Sequence, residues 1–243
     1  TSKNKIMYMY ATPLNTTYTS MQPLDATNCK DIFGENKYEL SWTDAIKNNY
    51  ICDYNFYYPD NNKIIEKIDN LKVDIKLIEK TILINKAYFL LECIKLTGIK
   101  KCITYLKTIE ESTEFMKILQ TINLYFELNI KVYEINYNTS NKKRTEYLNK
   151  FKNDKSINIL CNVHILDEGI DIPICDSVYL THPNNNLINI IQRISRANRL
   201  DKNNPQKIAK IFIWSKDKIK LETIMNNISK TIINIKYGNE KSD

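Results

Sequence analysis

KCITYLKTIEE, residues 101–111, decides how this chain is read. Its first six residues form a short, apolar, β-branched run, the signature of a buried strand. Thr108-Ile-Glu-Glu111 follows at once, with a hydroxyl three residues ahead of a carboxylate, the capping-box pattern that opens a helix. Beyond that cap Phe115, Leu119 and Ile122 recur at helical spacing, so one face of the helix is expected to lie on a sheet. Working outward, 130–137 (IKVYEINY) reads as a strand, 141–151 as a helix and 157–163 (INILCNV) as a buried strand. Residues 176–181 (DSVYLT) and 208–214 (IAKIFIW) supply two more strands. Strands spaced by helices predict an α/β fold with a mainly parallel sheet and helices on both faces. In such sheets ligands lie beyond the carboxyl ends of the strands. The loops after Leu106, Val163 and Thr181 are therefore the places to look. Upstream, the first fifty-odd residues are heterogeneous, and the strand–helix rhythm starts near Pro59. The expected division is 1–58 and 59–243.

A chain of 243 residues can bury one substantial core and carry an appended segment. With 43% hydrophobic and 26% charged residues it has a globular composition, which excludes a wholly disordered or fibrous chain. Its net charge of +7 fits either a polyanionic partner or a plain basic surface. The six cysteines include no CxxC pair and mostly lie in apolar runs, which predicts reduced thiols and an intracellular protein. With two histidines, His164 and His182, and no clustered cysteines, no zinc site is expected. No apolar run is long enough to span a bilayer, so no membrane partner is expected. The opening TSKNK resembles neither a signal peptide nor an initiator-led terminus, and a piece of a longer chain is expected. Abundant Lys, Asn and Ile with only four glycines point to an AT-rich genome, such as that of a large DNA virus, a parasite or a low-GC bacterium.

The segment 191–200, IQRISRANRL, carries arginines at 193, 196 and 199. On a helix, Gln192, Arg196 and Arg199 fall within an arc of roughly 60°. Leu187, Ile190, Ile191, Ile194 and Ala197 occupy the opposite side. Taken alone, such a face is more often solvated than functional. Ahead of it stands 167–173, DEGIDIP, a glycine-bearing turn directly after an expected buried strand, where the backbone must pass close to something. Its plain alternative is an acidic loop.

Together, the GIDIP turn, the DSVYL strand and the QRxxRxxR helix resemble motifs V and VI of the second RecA-like lobe of superfamily 2 helicases and translocases. That resemblance implies a RecA-like helicase C-terminal domain. It makes Arg199 the finger reaching into ATP held with Mg2+ mainly by a first lobe, Arg196 a second phosphate contact and Gln192 their neighbour. Gly169 and Asp171 belong to the nucleotide side, with Asp171 facing the ribose or fixing the interlobe cleft. Arginine suits the finger because it stays charged and stabilises the phosphoryl group in transfer, an effect of about 10³ to 10⁵ in rate. The chain departs from the family at Ser195 and Asn198, where glycine is common, and both positions bear on backbone geometry.

The resemblance extends further. Residues 101–111 are similar to motif IV, and the helix from 141 is similar to one that touches a bound strand. Lys142, Lys143 and Arg144 are then phosphate contacts at a helix start, unless they are a solvated basic turn. Asn162 stands where the family places a polar group against the nucleic-acid backbone. Tyr10-Ala-Thr-Pro13 resembles motif III, which gives Thr12 a role in interlobe coupling. Phe33-Gly34, Tyr38-Glu-Leu40, Asp44-Ala-Ile46 and Asp53-Tyr54 resemble the interlobe stretch of the DEAD/DEAH restriction-type branch, which favours DNA over RNA. The 243 residues hold neither a GxxxxGK(S/T) loop nor a DExx strand. The resemblance therefore implies an ATP-dependent nucleic-acid helicase or translocase as the whole protein, with this piece inactive alone and partnered by the first RecA-like lobe. The alternatives are a degenerate lobe that only binds nucleic acid, and a small α/β enzyme. The latter lacks a convincing partner for either histidine.

Overall fold

The computed structural model describes residues 42–70, 81–163, 172–183 and 187–215. Thr12, Gly169, Asp171 and His164 lie outside the described residues, as do the stretches similar to motif III and to the first part of the interlobe segment. Everything described belongs to the compact unit that starts at Trp42.

In chain order the elements are α1 (Trp42–Lys47), β1 (Tyr54–Tyr57), α2 (Asn61–Asn70), α3 (Thr81–Thr97), β2 (Lys101–Tyr105), α4 (Ile109–Phe126), β3 (Ile130–Ile135), α5 (Asn141–Asn153), β4 (Ile157–Asn162), β5 (Ser177–Leu180), α6 (Leu187–Ile194) and β6 (Ala209–Ile213). The six strands form one sheet in the order β1-β6-β5-β2-β4-β3, and every neighbouring pair is parallel. Parallel neighbours need crossovers, and those crossovers put helices on the sheet faces. The strands' alternation sorts the core into two layers. Tyr54, Phe56, Ile103, Tyr105, Leu160, Val178, Leu180 and Ile211 point to the side that holds Phe151 of α5 and Ile190 and Ile194 of α6. Cys102, Ile159, Cys161, Tyr179 and Phe212 point to the other side, under α3 and α4. Burial follows position in the sheet. All residues of β2 and β5 are buried, whereas edge strand β3 buries only its last residue. This is the parallel sheet with helices on both faces that the strand–helix alternation predicts.

The 101–111 segment behaves as its residues dictate. Thr108 has extended backbone, and its hydroxyl accepts the Glu111 amide at 3.1 Å. Glu111 reaches back to the Lys107 amide, one residue before the cap. Phe115, Leu119 and Ile122 are fully buried.

Two expectations need correction. The sheet begins upstream of residue 59, because β1 pairs along β6 from Tyr54↔Ala209 to Tyr57↔Phe212, with Tyr54 and Phe56 buried. Its four residues are inconspicuous in sequence, since their partner strand lies at the far end of the chain. The arginine segment is also not a continuous helix. α6 stops at Ile194: the Ser195 amide still bonds Ile191 O, but those of Arg196 and Ala197 tighten onto Arg193 O and Ile194 O. The Ser195 hydroxyl donates to Gln192 O at 2.7 Å and takes up a carbonyl at the helix end. Gln192 is therefore on the helix, while Arg196 and Arg199 are on the turn beyond it.

Candidate nucleotide and nucleic-acid interface

Because all strands run the same way, the carboxyl ends of β2, β4 and β5 lie along one end of the sheet. Thr181 ties two of these strand ends together, its hydroxyl donating to Tyr105 O at 2.7 Å. α6 crosses the same region, with Arg193 stacked 4.8 Å over the Tyr105 ring. One of the three arginines is thus committed to packing.

Arg196 and Arg199 are half-buried on the turn. Ala197 and Asn198, interleaved with them, are fully buried. The turn is bonded to a segment far away in sequence. The Cys52 amide donates to Asn198 O at 2.8 Å, Asn198 Nδ2 donates to Cys52 O at 3.1 Å, and Cys52 Sγ lies 3.7 Å from Ala197 O. Cys52 leads through Asp53 into β1, and Asp53 O accepts the amide of Ala209 at the start of β6. The guanidiniums are therefore carried on backbone fixed to the sheet edge. Further along, Lys207 is buried and its ammonium donates to Pro173 O at 2.7 Å and Cys175 O at 3.0 Å. It holds the chain at Pro173 and Cys175. The adjacent Asp176 accepts the Lys100 and Lys101 amides, and burial raises its carboxyl above the usual range.

Beyond β2 and β5 lies a cluster that sequence reading missed. Lys86, on α3, is almost wholly buried, and its ammonium donates to Glu111 at 3.1 Å and to His182 Nε2 at 2.8 Å. Nε2 as acceptor places the ring proton on Nδ1, which faces Thr181 Oγ1 at 3.1 Å and Glu111 at 3.4 Å. The cluster joins the N-terminus of α4 to the end of β5. His182 therefore has partners after all, supplied by α3 and α4.

Lys142 and Lys143 are exposed and Arg144 half-buried at the start of α5. The helix is capped by Ser140, which accepts the Lys143 amide. The turn before it is closed by Asn136, which accepts the Asn138 amide at 2.9 Å, and Tyr137 stands exposed on that turn. Asn162 is fully buried at the end of β4, where its carbonyl accepts the Leu106 amide. Its burial sets it apart from the exposed lysines. Cys52, Cys93, Cys102, Cys161 and Cys175 are free and buried, and burial raises each thiol, that of Cys102 to about 12. They are protonated at neutral pH and unsuited to nucleophilic work.

Residues 85–201 match the family model of the helicase conserved C-terminal domain. Over that span, just under half of its length, the chain is similar to helicase C-terminal domains. The matched span runs from α3 through the arginine turn. A "51.5 kDa protein" of a Lactococcus phage (isolate 7-9) is 31% identical over 108 residues, 44% of this chain and 22% of that protein. Among solved structures, the ATP-dependent Type ISP restriction-modification enzyme LlaBIII bound to DNA aligns with a TM-score of 0.68 at 16% identity. That alignment covers 84% of this chain and 16% of LlaBIII. A fragment of a putative HsdR subunit of a type I restriction enzyme from Vibrio vulnificus YJ016 aligns with a TM-score of 0.57 at 18% identity, covering 82% of this chain and 39% of that one. The aligned part of this chain therefore spans about a fifth of the phage relative and about a sixth of LlaBIII. Among the described residues, no helix is long and apolar enough to cross a membrane.

Proposed function

We propose that this lobe presents Arg199 and Arg196 to ATP held, with Mg2+, by the first RecA-like lobe of the same protein, which as a whole is an ATP-dependent helicase or translocase acting on DNA. The observation that carries this reading is the arginine turn: two half-buried guanidiniums on backbone bonded at Asn198 to Cys52. Guanidiniums fit a triphosphate because they keep their charge and offer forked donors to its oxygens. Partial removal from water strengthens their field, and a fixed turn avoids reorganisation at the moment of reaction. Bound ATP supplies the phosphoryl group and, with its metal, the electrophile. Arg199 meets the charge that develops there, and Arg196 orients the phosphates beside it. Gln192, one turn back on α6, lines the approach, and Gly169 and Asp171 are assigned to the nucleotide side of the cleft.

The exposed lysines at the start of α5, with Arg144, are assigned to strand phosphates, since helix N-terminal amides and mobile cations both favour anions there. Asn162, buried, is left out of that contact. Thr12 keeps its assignment to interlobe coupling on the motif III resemblance alone. DNA is preferred to RNA on the interlobe resemblance, and reduced buried thiols support an intracellular setting. Nucleic-acid-stimulated ATP hydrolysis by the full-length protein tests the reading, with the 243-residue chain alongside as the expected inactive control. Turnover stimulated by DNA supports it. No turnover with any nucleic acid moves the assignment to a degenerate binding lobe.

A further inference from the structure

The side chain at 198 is a polar group where none is needed for packing. Asn198 has no exposed surface, and its amide nitrogen is spent on Cys52 O. Its Oδ1 meets no donor among the described residues, an arrangement that costs stability compared with a small apolar residue. A buried, half-satisfied amide is therefore kept for something other than the core.

We propose that Asn198 is a positioning residue that sets where Arg199 points by locking the arginine turn onto Cys52; the inference rests on the finger assignment proposed for Arg199. The lock has two parts. The main chain of residue 198 accepts the Cys52 amide at 2.8 Å, which any residue could do. The side chain returns a donor to Cys52 O at 3.1 Å, which glycine or alanine cannot. Together they close a reciprocal pair between residues 146 apart in sequence. One such bond leaves the two segments free to pivot about its axis, whereas two fix their mutual orientation. Arg199 is the next residue, so any rotation about the pair swings its guanidinium directly. The upstream end is fixed by the tightened end of α6 at Ile194. Arg196 and Arg199 are thus held between two anchors, and the second depends on one amide. Cys52 stands two residues before the edge strand β1, so the finger follows the chain that enters the sheet there.

The test uses the full-length protein, comparing wild type with Arg199→Ala, Asn198→Ala and Asn198→Ser in nucleic-acid-stimulated ATP hydrolysis. Asn198→Ala is expected to lower kcat by about 10-fold to 100-fold, the loss that a misplacement of about 1 Å produces. KM for ATP and strand affinity should stay within twofold, and Asn198→Ser, which keeps a shorter donor, should recover part of kcat. Hydrogen exchange on the 243-residue chain gives a second readout: in Asn198→Ala the Cys52 amide should exchange faster while the melting temperature barely changes. Wild-type kcat in Asn198→Ala, with Arg199→Ala inactive, overturns the role of Asn198 and leaves the finger standing. A fall in kcat matched by a fall in melting temperature, without faster exchange confined to the Cys52 contact, overturns it too, since that is what a structural residue does. Absent turnover in the wild type overturns the finger reading and this inference with it.

Discussion

The arginine turn and the start of α5 are both assigned to phosphates, yet they are built in opposite ways. At the turn the charges are half-buried, interleaved with the fully buried Ala197 and Asn198, and bonded to a segment 146 residues away. At α5 the lysines are exposed, and the bonds that hold the helix are local: Ser140 to the Lys143 amide, Thr145 to Asn141 O, Lys150 to Glu146. A cation that contributes only attraction loses little by being mobile, because counterion release depends on charge number far more than on pose. A cation that must meet charge developing at one atom loses nearly everything if it drifts.

The largest effect that follows is on catalysis. Arg199→Ala should cut ATP turnover of the full-length protein by about 10³ to 10⁵, leaving strand affinity within twofold. Arg199→Lys should rescue little, because an ammonium lacks the planar fork. Comparable turnover in wild type and Arg199→Ala removes the distinction between the two sites. The next effect is on binding. Changing Lys142, Lys143 and Arg144 together to Ala should weaken strand binding most at low salt and flatten the salt dependence by roughly 0.9 in log–log slope for each phosphate no longer neutralised. Turnover at saturating strand should hold. If turnover collapses at saturation while affinity survives, the α5 cluster is positional and the contrast is wrong.

The same contrast explains which parts could be read from sequence. Residues 101–126 were legible because every signal in them is local: a β-branched run, a hydroxyl three residues from a carboxylate and apolar residues at helical spacing. Arginines at 193, 196 and 199 were legible as a pattern, but their geometry was not. Whether α6 continues past Ile194 depends on the Ser195 back-bond and on Cys52, and no local window contains Cys52. β1 escaped for a related reason, since four residues form a strand only because β6 pairs with them. In α3 the core extends almost without a break from Ile84 to Ile94, leaving little polar contrast to mark a helix. Lys86 within that run is silent until folding brings Glu111 and His182 to it.

Local bonding at α5 can be broken at either end, with smaller consequences. Ser140→Ala removes the acceptor for the Lys143 amide and should cost about 1 kcal/mol in chemical denaturation. It should reduce strand affinity less than the triple change, because the charges remain.

The smallest effect concerns pH. Asp154 closes the other end of α5, accepting from Lys131 at 2.5 Å and from the amide and hydroxyl of Ser156. The bond from Lys131, then those from Ser156, hold its carboxyl well below the ordinary range. A carboxyl lowered on folding adds stability above its unfolded value, about 3.9, and loses it as pH falls through the folded value. Asp176, beside the chain that Lys207 holds, has the opposite sign. Its folded value is raised by burial, so its contribution is full below the unfolded value and is lost as pH rises through the folded one. Acid should therefore loosen the end of α5 while favouring the sheet at Asp176. Urea midpoints against pH for wild type and Asp154→Asn should differ above about pH 4 and converge in stronger acid. Hydrogen exchange in the same range should rise at α5 before it rises at Cys52. Loss of protection at Cys52 first would mean that the arginine turn, not α5, is the less firmly held of the two.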